Sequence, residues 1–209
     1  MRSVFVIGDS ISIEYGPYLQ QMTEGTVNYD RKQGEAESLI DLDQALGANG
    51  GDSSRVLAYL EAEKDRGVSY DILLINCGLH DIKTDPQSGQ RQIELEQYGL
   101  NLNRIANLAA EMSNLFIWIR TTDAVEHIHN TLMKSFYRFH ADVVAYNQVA
   151  DEIMQAKQIP LIDIYSFTQN LGEDTYRDHV HFKDEVKQLQ AAYLTGCIAH
   201  VVNLKIPRD

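Results

Sequence analysis

The chain reads as an α/β protein built on a parallel sheet with helices on both faces, and three observations point there. Short apolar runs alternate with longer segments of helical period from end to end. The run Ile72-Leu73-Leu74-Ile75 is apolar at successive positions, so both of its faces must be covered, as in a central parallel strand. No repeat, linker or composition shift divides the 209 residues, and a chain of that size buries about 70% of its unfolded surface in one core. A single domain over residues 1–209 follows, with its ligand site expected beyond the carboxyl ends of the strands.

Taken in order, Val4 to Ile7 is the first strand, rich in β-branched residues and ended by Gly8-Asp9. Gly16-Pro17 is expected to open a short helix, because proline's missing N–H costs nothing at the first helical position. Thr26 to Tyr29 is a weaker second strand. The stretch from Arg31 to Asp52, with Gly34, Gly47, Gly50 and Gly51, reads mostly as loop. Ser53 and Ser54 are the N-cap candidates for a helix carrying Val56, Leu57 and Leu60 and ending near Gly67. After the central strand, Tyr98, Leu102, Ile105, Ala109 and Met112 repeat at helical spacing. Leu115 to Ile119 is the fourth strand, and Phe136, Phe139, Val143 and Ala150 to Met154 belong to a long helix. Leu161 to Ile164 makes the fifth strand, and Val186, Leu189, Tyr193 and Cys197 mark the C-terminal helix.

Composition excludes several classes of function. Lys and Arg number 18 against 30 Asp and Glu, a net charge of −12, and such a surface repels phosphate backbones and anionic headgroups. Nucleic acid and membrane partners are therefore not expected. Two cysteines, Cys77 and Cys197, are too few for a disulfide framework and fit a reducing compartment. Met1 to Ser3 lead straight into the first strand without a secretory pattern, and no apolar stretch approaches the roughly 20 residues that span a bilayer. A cytoplasmic protein is expected.

Three polar groups fall where such a sheet places its site. Gly8-Asp9-Ser10-Ile11 follows the first strand, where a serine on a tight strand-to-helix turn can present its hydroxyl at the sheet edge. The competing reading makes Asp9 or Ser10 a helix cap. Asp178-His179-Val180-His181-Phe182 precedes the last helix. A carboxylate three residues before an imidazole can hold Nδ1 and leave Nε2 free to take a serine proton, a role that suits His181 better than His179. The competing reading is a capping aspartate with solvated histidines. Asn76-Cys77-Gly78-Leu79-His80-Asp81 ends the central strand and faces the same edge, or is a loop with Asp81 as a cap.

Together these residues resemble the GDSL, or SGNH, hydrolase family, whose four blocks supply a serine, a glycine, an asparagine and a histidine in that order. Gly8-Asp9-Ser10-Ile11 matches the first block, with isoleucine for the usual leucine, and Asp178-Val180-His181 with Phe182 matches the last. The resemblance implies a three-layer α/β/α sandwich of flavodoxin type with about five strands. It also implies Ser10 as nucleophile, His181 as base and Asp178 as the orienting acid. Asn49-Gly50-Gly51-Asp52-Ser53-Ser54 looks like the glycine block, which assigns Gly51 as an oxyanion N–H donor, with Gly34 as competitor. Gly51-Asp52-Ser53 repeats the Gly-Asp-Ser tripeptide, but Ser53 lacks a strand before it and is expected to cap. The third block departs from the family: Gly78-Leu79-His80-Asp81 sets His80 where asparagine belongs, and a neutral imidazole can still donate one N–H.

The resemblance thus implies a serine esterase acting on short-chain acyl esters, acetyl esters among them, of small soluble molecules. A catalytically weak binding module of the same fold, or a lysophospholipase or thioesterase, is the alternative. No cofactor and no metal are expected. There is no Gly-rich phosphate loop, and His127, His129 and His140 lack a converging carboxylate and read as a solvated loop or substrate-side wall. Cys77 reads as a small buried apolar residue, and Tyr137, Tyr146, Tyr165 and Tyr176 as packing or rim residues. The region from Leu115 to Asn130 is expected to shape the acyl pocket.

Overall fold

A computed structural model describes residues 1–205. Among them, five parallel strands, β1 (Ser3–Ile7), β2 (Asn28–Arg31), β3 (Tyr70–Ile75), β4 (Ser113–Ile119) and β5 (Leu161–Ile162), lie in the order β2-β1-β3-β4-β5. The connecting helices are α1 (Ser10–Thr23), α2 (Glu35–Ser38), α3 (Ser53–Asp65), α4 (Leu95–Met112), α5 (Glu126–Leu132), α6 (His140–Ala156), α7 (Ile164–Gln169) and α8 (Asp184–Lys205). α1 and α7 pack on α8, while α3, α4 and α6 pack in succession, so helices cover both sides of the sheet. The α/β/α sandwich expected from the sequence is the observed one.

β3 occupies the centre of the sheet, and Ile72 to Ile75 are fully buried, as their unbroken apolar run requires. The chain moves outward from β1 to β2 on one side and from β3 to β5 on the other. The strand order therefore reverses between β1 and β3, and the crevice beyond their carboxyl ends is the natural place for a ligand. Asp9-Ser10 leaves β1 and Asn76 to Asp81 leaves β3 at that point, with the Asn76 N–H donating to the Ile7 carbonyl at 3.0 Å.

Several element boundaries differ from expectation for identifiable reasons. α1 begins at Ser10 rather than Gly16, because the Asp9 carboxylate caps it by accepting the Ile11 N–H at 3.0 Å. Pro17 lies inside that helix, where it removes one backbone hydrogen bond. Burial of Ile11, Ile13, Tyr15 and Leu19 offsets the loss. Asp52, not Ser53 or Ser54, caps α3 through the Arg55 N–H at 3.1 Å. β5 is only two residues long because Asp163 turns away to cap α7, accepting from the Ser166 N–H. Phe136 and Phe139 precede α6 rather than belonging to it. Leu189 holds the helical spacing of α8 but is exposed. The segment between β2 and α3 is loop apart from the single turn of α2, as expected.

Candidate active site

The chain reverses from β1 into α1 so tightly that a Cβ on Gly8 would lie 2.8 Å from both Cβ and Oγ of Ser12. Only glycine lets the first helical turn fold back against the strand in this way. Ser10 is the first residue of α1 and only 5% exposed. Backbone N–H groups at this position have no partner within the helix.

The other half of the site comes from the loop before α8. Tyr176 bridges Phe182, and the Arg177 N–H donates to the His181 carbonyl at 2.8 Å, closing the loop on itself. Inside it, Asp178 Oδ1 accepts the N–H groups of Val180 and His181, each at 2.8 Å. Partial burial works against the Asp178 charge, but those two N–H donors and the adjoining imidazole hold its carboxyl well below the usual carboxylate range. His181 Nδ1 lies 3.0 Å from Asp178 Oδ2, and His181 Nε2 lies 3.0 Å from Ser10 Oγ. Residues 171 positions apart thus meet in one hydrogen-bonded chain, Asp178–His181–Ser10. Its geometry suits proton transfer from a hydroxyl to an imidazole.

One residue that holds this arrangement has no motif to announce it. Glu14, on α1, pairs with Arg177 at 2.8 Å and with Lys187 at 3.1 Å, tying the serine's helix to the histidine loop and to α8. Only the i, i+4 spacing from Ser10 to Glu14 placed the two on one helix face, and that spacing is too common to be a signal.

Two loops flank the serine. Gly8 bridges Asn49, and the Gly50 N–H donates to the Gly8 carbonyl at 2.9 Å, so the segment Asn49 to Gly51 lies against the end of β1. Gly51 takes φ +72°, open to glycine, and its N–H donates to its near neighbour Asn49 Oδ1 at 3.0 Å. Gly34 faces elsewhere: it is the N-cap of α2, packs against Gly47, and its carbonyl accepts from Ser38 and Ala48. The β1 edge is therefore occupied by the Gly51 loop and not by Gly34.

His80 stands on the second loop and is only 2% exposed. Burial, reinforced by the charges of Lys83 and Arg138, pushes its pKa well below the ordinary value, so the ring is neutral near pH 7. The charge of His181 acts in the same direction. Asp81, next in sequence, is completely buried and accepts the Ser53 N–H with both oxygens, at 2.9 and 3.1 Å. This bond joins the His80 loop to the start of α3. Burial raises the Asp81 carboxyl to about 8, against the hydrogen bonds from Ser53.

Of the remaining histidines, His127 and His140 are exposed, as a solvated loop or wall requires, whereas His129 is not. His129 lies on α5, wholly buried, with Nδ1 2.8 Å from Nδ1 of His179. His179 therefore turns away from Ser10, leaving His181 as the imidazole that reaches it. His140 Nδ1 lies 2.5 Å from Asp123 Oδ2. Among the described residues, no group of three His, Cys, Asp or Glu side chains is placed to hold a metal ion. Cys77 is buried and its thiol is pushed well above the ordinary value by that burial.

A cavity of about 800 Å³ opens between α5 and the segment 168–179, walled by Val125, Ile128, Leu132, Tyr176, Asp178 and His179. Ala124, Val125, His127 and Ile128 line this space, whereas Leu115 to Ile119 are buried core in β4. It abuts the Asp178 end of the hydrogen-bonded chain.

Solved structures share this architecture over nearly the whole chain. The lipase/acylhydrolase from Enterococcus faecalis matches with a TM-score of 0.71 at 18% identity, covering 100% of each chain. An acetylxylan esterase from Geobacillus stearothermophilus matches with a TM-score of 0.64 at 15% identity over 94% of each. A GDSL-like lipase from Bacteroides thetaiotaomicron matches with a TM-score of 0.65 at 15% identity, over 96% of this chain and 89% of that one. No family model and no curated protein matches the sequence. What the chain shares with these structures is the fold.

Proposed function

We propose that this chain is a serine esterase of the GDSL/SGNH type that hydrolyses short-chain acyl esters of small molecules through an acyl-enzyme on Ser10. The observation that carries this reading is the Asp178–His181–Ser10 chain, with 3.0 Å at each imidazole nitrogen. A bond from Nδ1–H to Asp178 sets the tautomer in which Nε2 accepts, and Nε2 is the atom facing the hydroxyl. His181 takes the Ser10 proton as Oγ attacks the ester carbonyl. It then returns that proton to the leaving alkoxide, and activates the water that releases the acid.

The tetrahedral oxyanion is received by the Ser10 N–H, by His80 and by Gly51. His80 is neutral, so one ring N–H can donate in place of the family's asparagine amide. Gly51 must share or release its bond to Asn49, which makes it the weakest of the three donors. The shared fold supports the assignment, because the structures it is shared with include an acylhydrolase and an acetylxylan esterase. Two unpaired cysteines, one of them buried, fit a reducing cytoplasm.

Labelling with a serine-reactive fluorophosphonate tests the reading. Stoichiometric modification at Ser10, together with loss of ester hydrolysis in a folded Ser10→Ala variant, is expected. Hydrolysis undiminished in that variant overturns it. The occupied Gly51 N–H and the replaced asparagine favour a second reading, a weakly catalytic binding module. Tight ligand binding without modification at Ser10 would select that one.

A further inference from the structure

We propose that Arg138 is a positioning residue for the oxyanion site, fixing the loop that presents His80 and holding a buried positive charge beneath it. The inference rests on the esterase reading above. Arg138 is 3% exposed, and its Nε donates to the Leu79 carbonyl at 3.0 Å, one residue before His80. The peptide joining Leu79 to His80 is therefore anchored from below. Arg138 is itself held at the main chain: its N–H donates to Asn130 Oδ1 at 2.9 Å, and its carbonyl accepts from Asn130 Nδ2 at 3.0 Å. A side chain of α5 thus sets where the guanidinium starts, and the guanidinium sets where the His80 loop ends.

The charge is poorly compensated. Its carboxylate partner, Asp43, stands at 3.6 Å, beyond good hydrogen-bond distance, and the other side is the face of Phe136, 5.0 Å from the ring centroid. A second cation, Lys83, shares the same surroundings, with Nζ 2.6 Å from the Asp43 carbonyl and 4.5 Å from the Phe136 centroid. Asp9 and Asp178 act on Arg138, and Asp41 and Asp52 on Lys83, only from further away, and Arg138 Nη1 is buried without a hydrogen-bond partner among the described residues. An incompletely paired buried arginine is unfavourable for folding. It becomes useful when an adjacent group turns negative during reaction, because a fixed charge in a water-excluded site acts strongly and needs no reorganisation. Arg138 acts electrostatically on Asp9, the residue before Ser10, on Asp178, the partner of His181, and on His80.

A boronic acid reads this field directly. Ser10 Oγ bonds to boron as its proton passes to His181, and boron becomes a tetrahedral anion in the place of the oxyanion. In Arg138→Met, kcat for a short acyl ester should fall by about 10², boronate binding should weaken by a similar factor, and KM should stay within about threefold. Arg138→Lys should recover part of both losses. Asp43→Asn removes the counterion and should tighten the boronate. A folded Arg138→Met enzyme with wild-type kcat, or one with raised KM and unchanged kcat, overturns the proposal. Should Arg138→Met fail to fold, Asp43→Asn decides it: tighter boronate binding supports the proposal, and unchanged or weaker binding overturns it. Absence of fluorophosphonate labelling in the wild-type protein instead removes the esterase reading itself. Labelled wild type with unaffected Arg138 variants removes this inference alone.

Discussion

Two buried histidines in this molecule face opposite fates. His181 has a carboxylate at Nδ1 and a hydroxyl at Nε2, each at 3.0 Å. His129 has another imidazole at Nδ1, at 2.8 Å, and Nε2 is buried without a hydrogen-bond partner among the described residues. A carboxylate can accept from Nδ1–H and stabilise the imidazolium, so His181 is equipped to gain a proton. Between His129 and His179 there is room for one hydrogen, since two protonated nitrogens at that distance would repel. Burial, aided by the charge of Arg138, lowers the His129 pKa to about 3. Burial keeps the His129 ring neutral, and the carboxylate on Nδ1 is what equips His181 as a base.

Three changes break or sharpen this contrast. The largest effect is expected from Asp178→Asn, which replaces the carboxylate with a neutral amide and so makes His181 resemble His129. The amide N–H can donate to Nδ1, reversing the tautomer and turning Nε2 into a donor that cannot take the Ser10 proton. Steady-state hydrolysis should show kcat reduced by about 10⁴ without a matching loss of stability. Unchanged kcat would mean the carboxylate does not orient the ring.

A smaller effect belongs to His80, a neutral imidazole of the His129 kind that the esterase reading makes an oxyanion donor. His80→Ala should lower kcat by about 10² to 10³. His80→Asn should retain much of the activity, since an amide can donate in the same place. Equal activity in the two variants would show that no oxyanion donor was lost.

The smallest effect on turnover, and the clearest on stability, belongs to His129 itself. Folded His129 binds a proton only near pH 3, whereas the unfolded chain does so near 6.5. Between those values the unfolded state holds the extra proton, so stability falls as pH drops through that window. In His129→Gln that contribution disappears. Urea midpoints measured from pH 7 to 4 should decline less steeply than in the wild type, with kcat at pH 7 within about threefold. A parallel decline in both proteins would place the acid sensitivity elsewhere.

Legibility in the sequence followed the range of the interactions involved. Ile72 to Ile75 announced a central strand because burial on both faces leaves no polar position, and the buried face of α4 appeared as a clean helical period. Asp178 and His181 were readable as a pair because they stand three positions apart and a loop closes them locally. Errors came where a local rule had a local competitor. Proline at position 17 suggested a helix start, but the Asp9 carboxylate had already started one. Ser53 looked like a cap, but Asp52 accepts the N–H instead. His129 looked solvated because its partner, His179, lies 50 residues away.

Sequence by itself determined the α/β alternation, the parallel sheet and the three segments that end at its carboxyl edge. Each follows from residue spacing within a single element, where 3.6-fold and twofold periods are imposed by the backbone. Only the tertiary structure decided which groups meet. It brought Ser10 to His181 across 171 residues, chose the Gly51 loop over Gly34 beside β1, and buried Arg138 under the Leu79 carbonyl. Strand order at the point of reversal between β1 and β3 made those choices, because side chains distant in the chain become neighbours only when the sheet has fixed where its loops emerge.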